Sequence, residues 1–339
     1  MATPADHGFR MPAEWAPHAR TWMAWPCRAE IWGDRIEAAR ASYADVANAI
    51  SSVEPVTMVC NPDDVIEASL ALGSSVEVMP LEIDDSWLRD SGPIFLLDGQ
   101  GGMAAAHFRF NAWGGKYTPY DKDAAVAAGI VDRVGVQRFE APFVLEGGAV
   151  TVDGLGTAIV TEECLLNPNR NPGMTKEKVE ENLAQWLGIT RTIWLPQGYE
   201  EDETDGHVDE IAAFAKPGVV LALTTDDKDD ANYDVLQDNL DILRSATDAT
   251  GAALQVVELP QPAARDYPTG GRITLSYANF YLCNGAVIIP GFGQSADDRA
   301  YKVFREVYPD RQIIQVPAYD IAWGGGCIHC ITQQQPAIG

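Results

Sequence analysis

Thr274-Leu275-Ser276-Tyr277-Ala278-Asn279-Phe280-Tyr281-Leu282-Cys283-Asn284-Gly285-Ala286-Val287-Ile288-Ile289 carries the strongest turn signal in the chain. Asn284-Gly285 is the strongest short hairpin signal in the chain, and both flanks are rich in strand formers. A helix over Asp297 to Tyr308 and a strand over Ile313 to Val316 follow. The same order recurs upstream. Ile94 to Leu97 and Met103 to Phe110 form a hairpin at Gly99 to Gly102, followed by a helix over Asp123 to Val134. A turn at Asp153 to Gly156 returns into a strand over Thr157 to Thr161. A helix capped by Thr175 and stopped by Gly188 comes next, then a strand over Ile189 to Leu195. Gly206 to Glu210 leads into more strand, a helix over Asp230 to Thr250 and a strand over Leu254 to Leu259. Nearer the start, Asp34 and Glu37 read as a capping box for a helix running to Ile50. It is followed by strands over Val56 to Cys60 and Ser75 to Ile83, with a helix over Pro62 to Leu72 between them. Hairpins and single strands punctuated by helices thus recur about five times, which argues for mixed α/β strands over pure parallel winding. No residue-level repeat is visible, so the rhythm suggests closure into a ring without establishing it.

The 339 residues are 46% hydrophobic and 22% charged, ordinary for a globular protein, but the formal net charge is -25. That balance argues against nucleic-acid or anionic-membrane partners, which require basic surface. It is compatible with a cationic substrate and also with plain solubility. Met1 to Trp15 has no signal-peptide pattern, and no apolar run is long enough to span a bilayer. The six cysteines (27, 60, 164, 283, 327 and 330) are sparse and lie mostly in apolar runs. The expectation is a cytoplasmic enzyme with reduced thiols.

Four groups could carry chemistry. Trp323-Gly324-Gly325-Gly326-Cys327-Ile328-His329-Cys330 delivers two thiols and an imidazole behind three glycines, which let a ligand approach closely. Cys330 reads either as a nucleophile or as a small buried hydrophobe. In an extended run His329 and Cys330 face opposite ways, so one of them lines a pocket. Cys327-x-x-Cys330 is also a candidate redox or zinc pair. His207 and Asp209, two apart in an extended segment, share a face, and the carboxylate would favour the charged imidazole. The alternative is a satisfied histidine on an acidic loop. Asp90, three residues after Trp87, suits a planar cation, or else pairs with Arg89 or stabilises its own turn. Glu146 ends an apolar strand and would ordinarily be exposed.

Phe110-Asn111-Ala112-Trp113-Gly114-Gly115, Leu145-Glu146-Gly147-Gly148, Thr161-Glu162-Glu163-Cys164-Leu165-Leu166-Asn167-Pro168-Asn169-Arg170-Asn171-Pro172, Asp205-Gly206-His207-Val208-Asp209 and Gly324-Gly325-Gly326 with Ile328-His329-Cys330-Ile331-Thr332-Gln333-Gln334 occur in one order. Together they resemble the agmatine deiminases of the bacterial-type peptidylarginine deiminase family, over nearly the whole chain. The resemblance implies a single domain over residues 1–339, a five-bladed α/β propeller of ββαβ-type units (the pentein fold). It implies hydrolysis of agmatine, a small cationic guanidine, to N-carbamoylputrescine and ammonia, without cofactor or metal. By motif position Cys330 is the nucleophile and His207 the general acid/base. Asp90 and Asp209 bind the guanidinium, and Trp87, Trp113 and Glu146 line the site. A homodimer is the expected assembly. Two features stand apart. Cys327 occupies a position usually held by Asn, which suggests redox sensitivity. His107 and Arg109, if in the site, would suit a carboxylate-bearing guanidine such as free or C-terminal arginine, the alternative substrate for a deiminase or amidinotransferase.

Overall fold

The computed structural model describes residues 2–338 and contains five small sheets. In the first, β1 (His18–Ala24), β2 (Val56–Cys60) and β3 (Val76–Pro80) run parallel. Helices α1 (Ile36–Ser51) and α2 (Val65–Ala71) form their crossovers. The next four sheets follow one recipe: an antiparallel hairpin, a helix, and a third strand parallel to the second. They comprise β4 (Ile94–Leu97), β5 (Met103–Arg109), α3 (Asp121–Val134) and β6 (Gln137–Val144), then β7 (Thr151–Val152), β8 (Thr157–Thr161), α4 (Lys176–Leu187) and β9 (Arg191–Leu195). The last two are β10 (Ala212–Lys216), β11 (Val219–Thr224), α5 (Tyr233–Ser245) and β12 (Gln255–Pro260), and β13 (Tyr281–Cys283), β14 (Ala286–Gly291), α6 (Ser295–Val307) and β15 (Gln312–Pro317). Finally β16 (Thr332–Pro336) returns to pair antiparallel with β1, which gives the first sheet its own hairpin-like pair and closes the ring.

The chemistry of the strands explains the layering. Third strands are only partly buried, and Gln137–Val144 buries every second or third residue, whereas middle strands such as Val219–Leu223 and Ala286–Pro290 are buried throughout. A strand covered on both faces reads as a continuous apolar run. Helices supply the outer cover through one stripe, for example Leu236, Leu240 and Leu243 of α5 and Ala296, Ala300, Phe304 and Val307 of α6. The leading strands β4, β7, β10, β13 and β16 are the remaining edges; β16 lies against β4 and β7 against β10 around the middle of the ring.

Three expectations change. Asp34 does not cap α1: Gly33–Arg35 is a separate 3-10 turn, and the helix begins at Ile36 with no side-chain cap. Thr274–Cys283 is strand only from Tyr281, because Ser276 and Asn279 turn to the preceding blade. Ser276 Oγ donates to the Glu210 carbonyl and Asn279 Nδ2 to the Glu210 carboxylate, which competes with ladder formation. Strands β1, β6 and β16 had no counterpart in the pattern reading. By contrast Thr175 caps α4 through the Lys178 N–H, and Gly188 ends it in the left-handed conformation.

Candidate active site

Each leading strand is entered through a turn that aims one polar group at the centre. Asp90 sits on the helical turn Leu88–Ser91 before β4, and Gly147-Gly148 precede β7. His207, Asp209 and Glu210 flank or form a 3-10 turn before β10. Asn279 lies before β13, and His329-Cys330 occupy a turn before β16. Segments from all five blades therefore meet, which no local sequence window reveals.

Cys330 Sγ lies 3.6 Å from Asp209 Oδ2 and 3.5 Å from Glu210 Oε1, and accepts from Asn279 Nδ2 at 3.1 Å. Burial pushes the thiol well above its usual range, and Asp209, Glu210 and Asp90 add to it. His207 is fully buried; its Nδ1 is 3.8 Å from Asp90 Oδ1 and 4.0 Å from Asp209 Oδ1, and neither ring nitrogen makes a hydrogen bond. Burial opposes charge on this imidazole, but Asp90, Cys164 and Asp209 outweigh it and raise its pKa well above the ordinary value. Gly148 is required by space: a Cβ there would lie 2.6 Å from His207 Nδ1, 2.9 Å from Asp209 Oδ2 and 3.0 Å from Asp90 Oδ1.

Asp90 is held by two neutral donors, the Gly148 N–H on Oδ1 at 2.9 Å and the Trp113 indole on Oδ2 at 2.9 Å. Burial raises its pKa, with His207 opposing. Presenting Trp113 requires a left-handed run: φ is +52° at Ala112, +53° at Trp113, +90° at Gly114 and +81° at Gly115. For the two non-glycine residues this costs roughly 1–2 kcal/mol each, and Asn111 offsets part of it by accepting the Gly114 N–H at 2.9 Å. Trp87 stacks on Trp32, with ring centroids 5.7 Å apart, and its indole faces the cavity.

A narrow cavity lined by Trp87, Asp90, Trp113, Tyr117, Glu203, Gly326 and Cys330, among others, opens above the sulfur. Gly326 lets the indole of Trp87 and Cys330 meet, since a Cβ would fall 2.8 Å from the one and 3.1 Å from the other. The arrangement fits a flat cation gripped by carboxylates between aromatic faces, with sulfur directed at it.

Cys330, His207, Asp90, Asp209, Trp87 and Trp113 thus converge. His207 and Asp209 do so through a 3-10 turn rather than the extended geometry inferred above. Glu146 is a correction. It is neither exposed nor on the cavity wall; it is fully buried beside His207 and Cys164, where Arg170 Nε donates to it at 2.7 Å. A Gly-Gly turn after Glu146 lets it pass behind the site. Arg109 and His107 line a separate surface groove with Tyr120 and Glu140. His329 and Cys330 both reach Asp209 Oδ2, and of the two only Cys330 lines the cavity. Cys327 is buried in the apolar core, and all six cysteines are unpaired thiols. Among the described residues two buried groups have metal-ligand chemistry, Glu146-Cys164-His207 and Asp209-Glu210-Cys330; neither includes Cys327. Glu210, Asn279 and His329 went unassigned, although Asn279 stands just before a leading strand as the other site residues do.

Five ββαβ-type sheets closed into an α/β propeller around such a cluster define a pentein, the class that contains hydrolases acting on carbon–nitrogen bonds of guanidines. The chain belongs to the Porphyromonas-type peptidyl-arginine deiminase family, whose profile spans residues 10–336. It is 44% identical to the agmatine deiminase of Stutzerimonas stutzeri, across 99% of this chain and 98% of that one. The structure matches the agmatine deiminase of Enterococcus faecalis with a TM-score of 0.97 at 35% identity, covering 100% of this chain and 99% of the other. An agmatine deiminase of C. jejuni solved with substrate bound matches with a TM-score of 0.89 at 27% identity, covering 98% and 96%.

Proposed function

We propose that this chain hydrolyses agmatine to N-carbamoylputrescine and ammonia, with Cys330 as nucleophile. The observation that carries the reading is the cavity's charge: Asp90 and Glu203 are on its wall, Asp209 and Glu210 touch the sulfur, and among the described residues no Lys or Arg lines it. A guanidinium supplies the missing cation, and its N–H groups match Asp90 and the unpartnered Asp209 Oδ1. Arginine's carboxylate would meet acids instead. Glu203, which accepts from the Tyr117 hydroxyl at 3.1 Å, is placed to receive agmatine's distal ammonium.

Without substrate the sulfur is a thiol, as its raised pKa requires. A bound guanidinium favours its ionisation, and the proton leaves to solvent. The thiolate attacks the central carbon, the tetrahedral centre collapses as His207 delivers a proton to the departing ammonia, and a thiouronium forms. Water then attacks and His207 takes one of its protons; carbon–sulfur cleavage regenerates the thiolate, and the second proton passes to solvent as the neutral ureido product leaves. His207 suits the first duty because Asp90 and Asp209 keep it charged.

Pairing of β16 with β1 supports reading residues 1–339 as one domain, and the unpaired thiols suit the cytoplasm. The test combines a substrate panel scored for ammonia and ureido product with intact mass after incubation with a haloacetamidine. Agmatine preferred over arginine, an adduct mapped to Cys330, and loss of turnover in a folded Cys330→Ala variant are expected. A preference for arginine, or transfer of the amidino group to an amine in place of hydrolysis, would overturn the reading.

A further inference from the structure

Asp90 and Asp209 are held in different ways. Both oxygens of Asp90 accept from neutral N–H groups. Asp209 accepts from an imidazole: His329 Nδ1 lies 2.8 Å from its Oδ2, leaving Oδ1 without a partner. The far side of that imidazole is also taken, since His329 Nε2 lies 2.7 Å from Glu14 Oε1. A ring flanked by two ionised carboxylates, one at each nitrogen, can satisfy both only as imidazolium, because the neutral ring has a single N–H. Glu14 comes from the segment before β1, which is clipped over other blades by Arg10 pairing with Leu97 and by the Met11 N–H donating to the Leu187 carbonyl. It touches neither Cys330 nor Asp209.

We propose that Glu14 and His329 are positioning residues that keep Asp209 ionised with Oδ1 turned to the guanidinium. The idea rests on the function proposed above. The charged groups around His329 form a row of alternating sign: Asp209, His329, Glu14, then Arg89, whose Nη1 is 3.5 Å from Glu14. Arg89 Nε also donates to the His329 carbonyl at 3.3 Å, and Nη1 to Gln333 at 2.8 Å, so its head is fixed. His18 approaches the Glu14 backbone, with Nε2 2.8 Å from its carbonyl. Titration agrees with the geometry. Burial and Arg89 oppose charge on His329, but Glu14 and the hydrogen bonds to Asp209 and Glu14 prevail and raise its pKa. Burial would raise Glu14, yet His329 and Arg89 bring it down to about 2.

The decisive variant is Glu14→Gln, with Glu14→Asp as the conservative rescue. His329 then loses the partner that stabilises its charge, so it deprotonates at lower pH and Asp209 loses its cationic neighbour. The expected result is a tenfold or larger rise in KM for agmatine with a smaller change in kcat. The basic limb of kcat/KM should shift toward acid by about one unit, with recovery in Glu14→Asp and unchanged thermal unfolding. Nitrogen-15 shifts of His329 should report imidazolium at pH 8 in the parent protein and neutral imidazole in Glu14→Gln. Unaltered KM and pH profile in Glu14→Gln, or a neutral His329 in the parent, would overturn the proposal. So would equal losses in Glu14→Gln and Glu14→Asp with a lowered melting point, which mark a merely structural contact. The nitrogen signal needs no turnover, so a charged His329 in a protein inert toward agmatine would sink the substrate reading alone.

Discussion

Two buried acidic clusters lie near each other, and only one contains a guanidinium of its own. In the first, Arg28 sits between Asp85, with Nε 3.2 Å from Oδ2, and Asp123, 4.0 Å from Nη2, and its guanidinium lies over the Tyr117 ring at 5.7 Å. In the second, Asp90, Asp209 and Glu210 surround Cys330 with no arginine or lysine among them. Carboxylates and an aromatic face around a guanidinium appear in both places. In one the guanidinium belongs to the chain and fixes the loop that carries Trp87 and Asp90. In the other the chain supplies no guanidinium, and burial raises the pKa values of Asp90 and Glu210. The difference separates a structural ion cluster from a binding site more sharply than any single residue does.

The comparison can be broken at either end. The largest effect should come from the cavity: Asp90→Asn, which removes a buried charge partner worth about 3–5 kcal/mol, should lower kcat/KM for agmatine by roughly a hundredfold to a few thousandfold. Gly148→Ala, whose Cβ would fall 2.6 Å from His207 Nδ1, should also lower it strongly. Thermal unfolding should be unchanged or slightly improved in Asp90→Asn, because one of several mutually repelling acids is neutralised. Arg28→Met should do the reverse. It strands two buried acids, and calorimetry should find it destabilised by about 3 kcal/mol, a loss of several degrees.

A third experiment asks whether the cavity really selects for positive charge. At pH 7 a cationic haloacetamidine should alkylate Cys330 roughly a hundredfold faster than a neutral haloacetamide of the same size, since only the cation offsets Asp90, Asp209 and Glu210. Equal rates, read by mass spectrometry, would mean that the acids do not shape access.

The smallest effect concerns pH. Burial and the neighbouring Asp123 raise Asp85 to about 7, whereas an unfolded aspartate titrates near 4. The folded state therefore binds that proton more tightly. Stability from this group is complete below about pH 4 and is lost as pH rises through about 7. Between pH 5 and 8 the parent protein should lose more stability than Asp85→Asn, a difference that denaturant titrations at several pH values will resolve.

How much of this could be read from the chain depends on how local the cause is. Thr175, Gly188 and Asn284-Gly285 act within a few residues, and the cap, stop and hairpin they specify are present. Asp34 failed as a cap because the preceding Gly33 enters a tighter turn. Strands β1 and β16 are far apart in sequence and stabilise each other, so neither is distinctive alone. Motif positions pointed to Cys330, His207, Asp90 and Asp209, which the fold brings together, but His207 and Asp209 approach through a 3-10 turn and not through the extended segment that alternation assumes. Glu146 was misplaced because its partner, Arg170, is reached only by folding. Asn279 and Glu14 matter through contacts across more than two hundred and fifty intervening positions in one case and between blades in the other, and no window of sequence contains them.

The pairing of β16 with β1 has a consequence for timing. A chain emerging from the ribosome already holds its acids long before residue 330 is made, and the sulfur meets them only when the ring locks. Reactivity should therefore switch on in a single event at the end of folding, which spares the nascent chain a half-built centre.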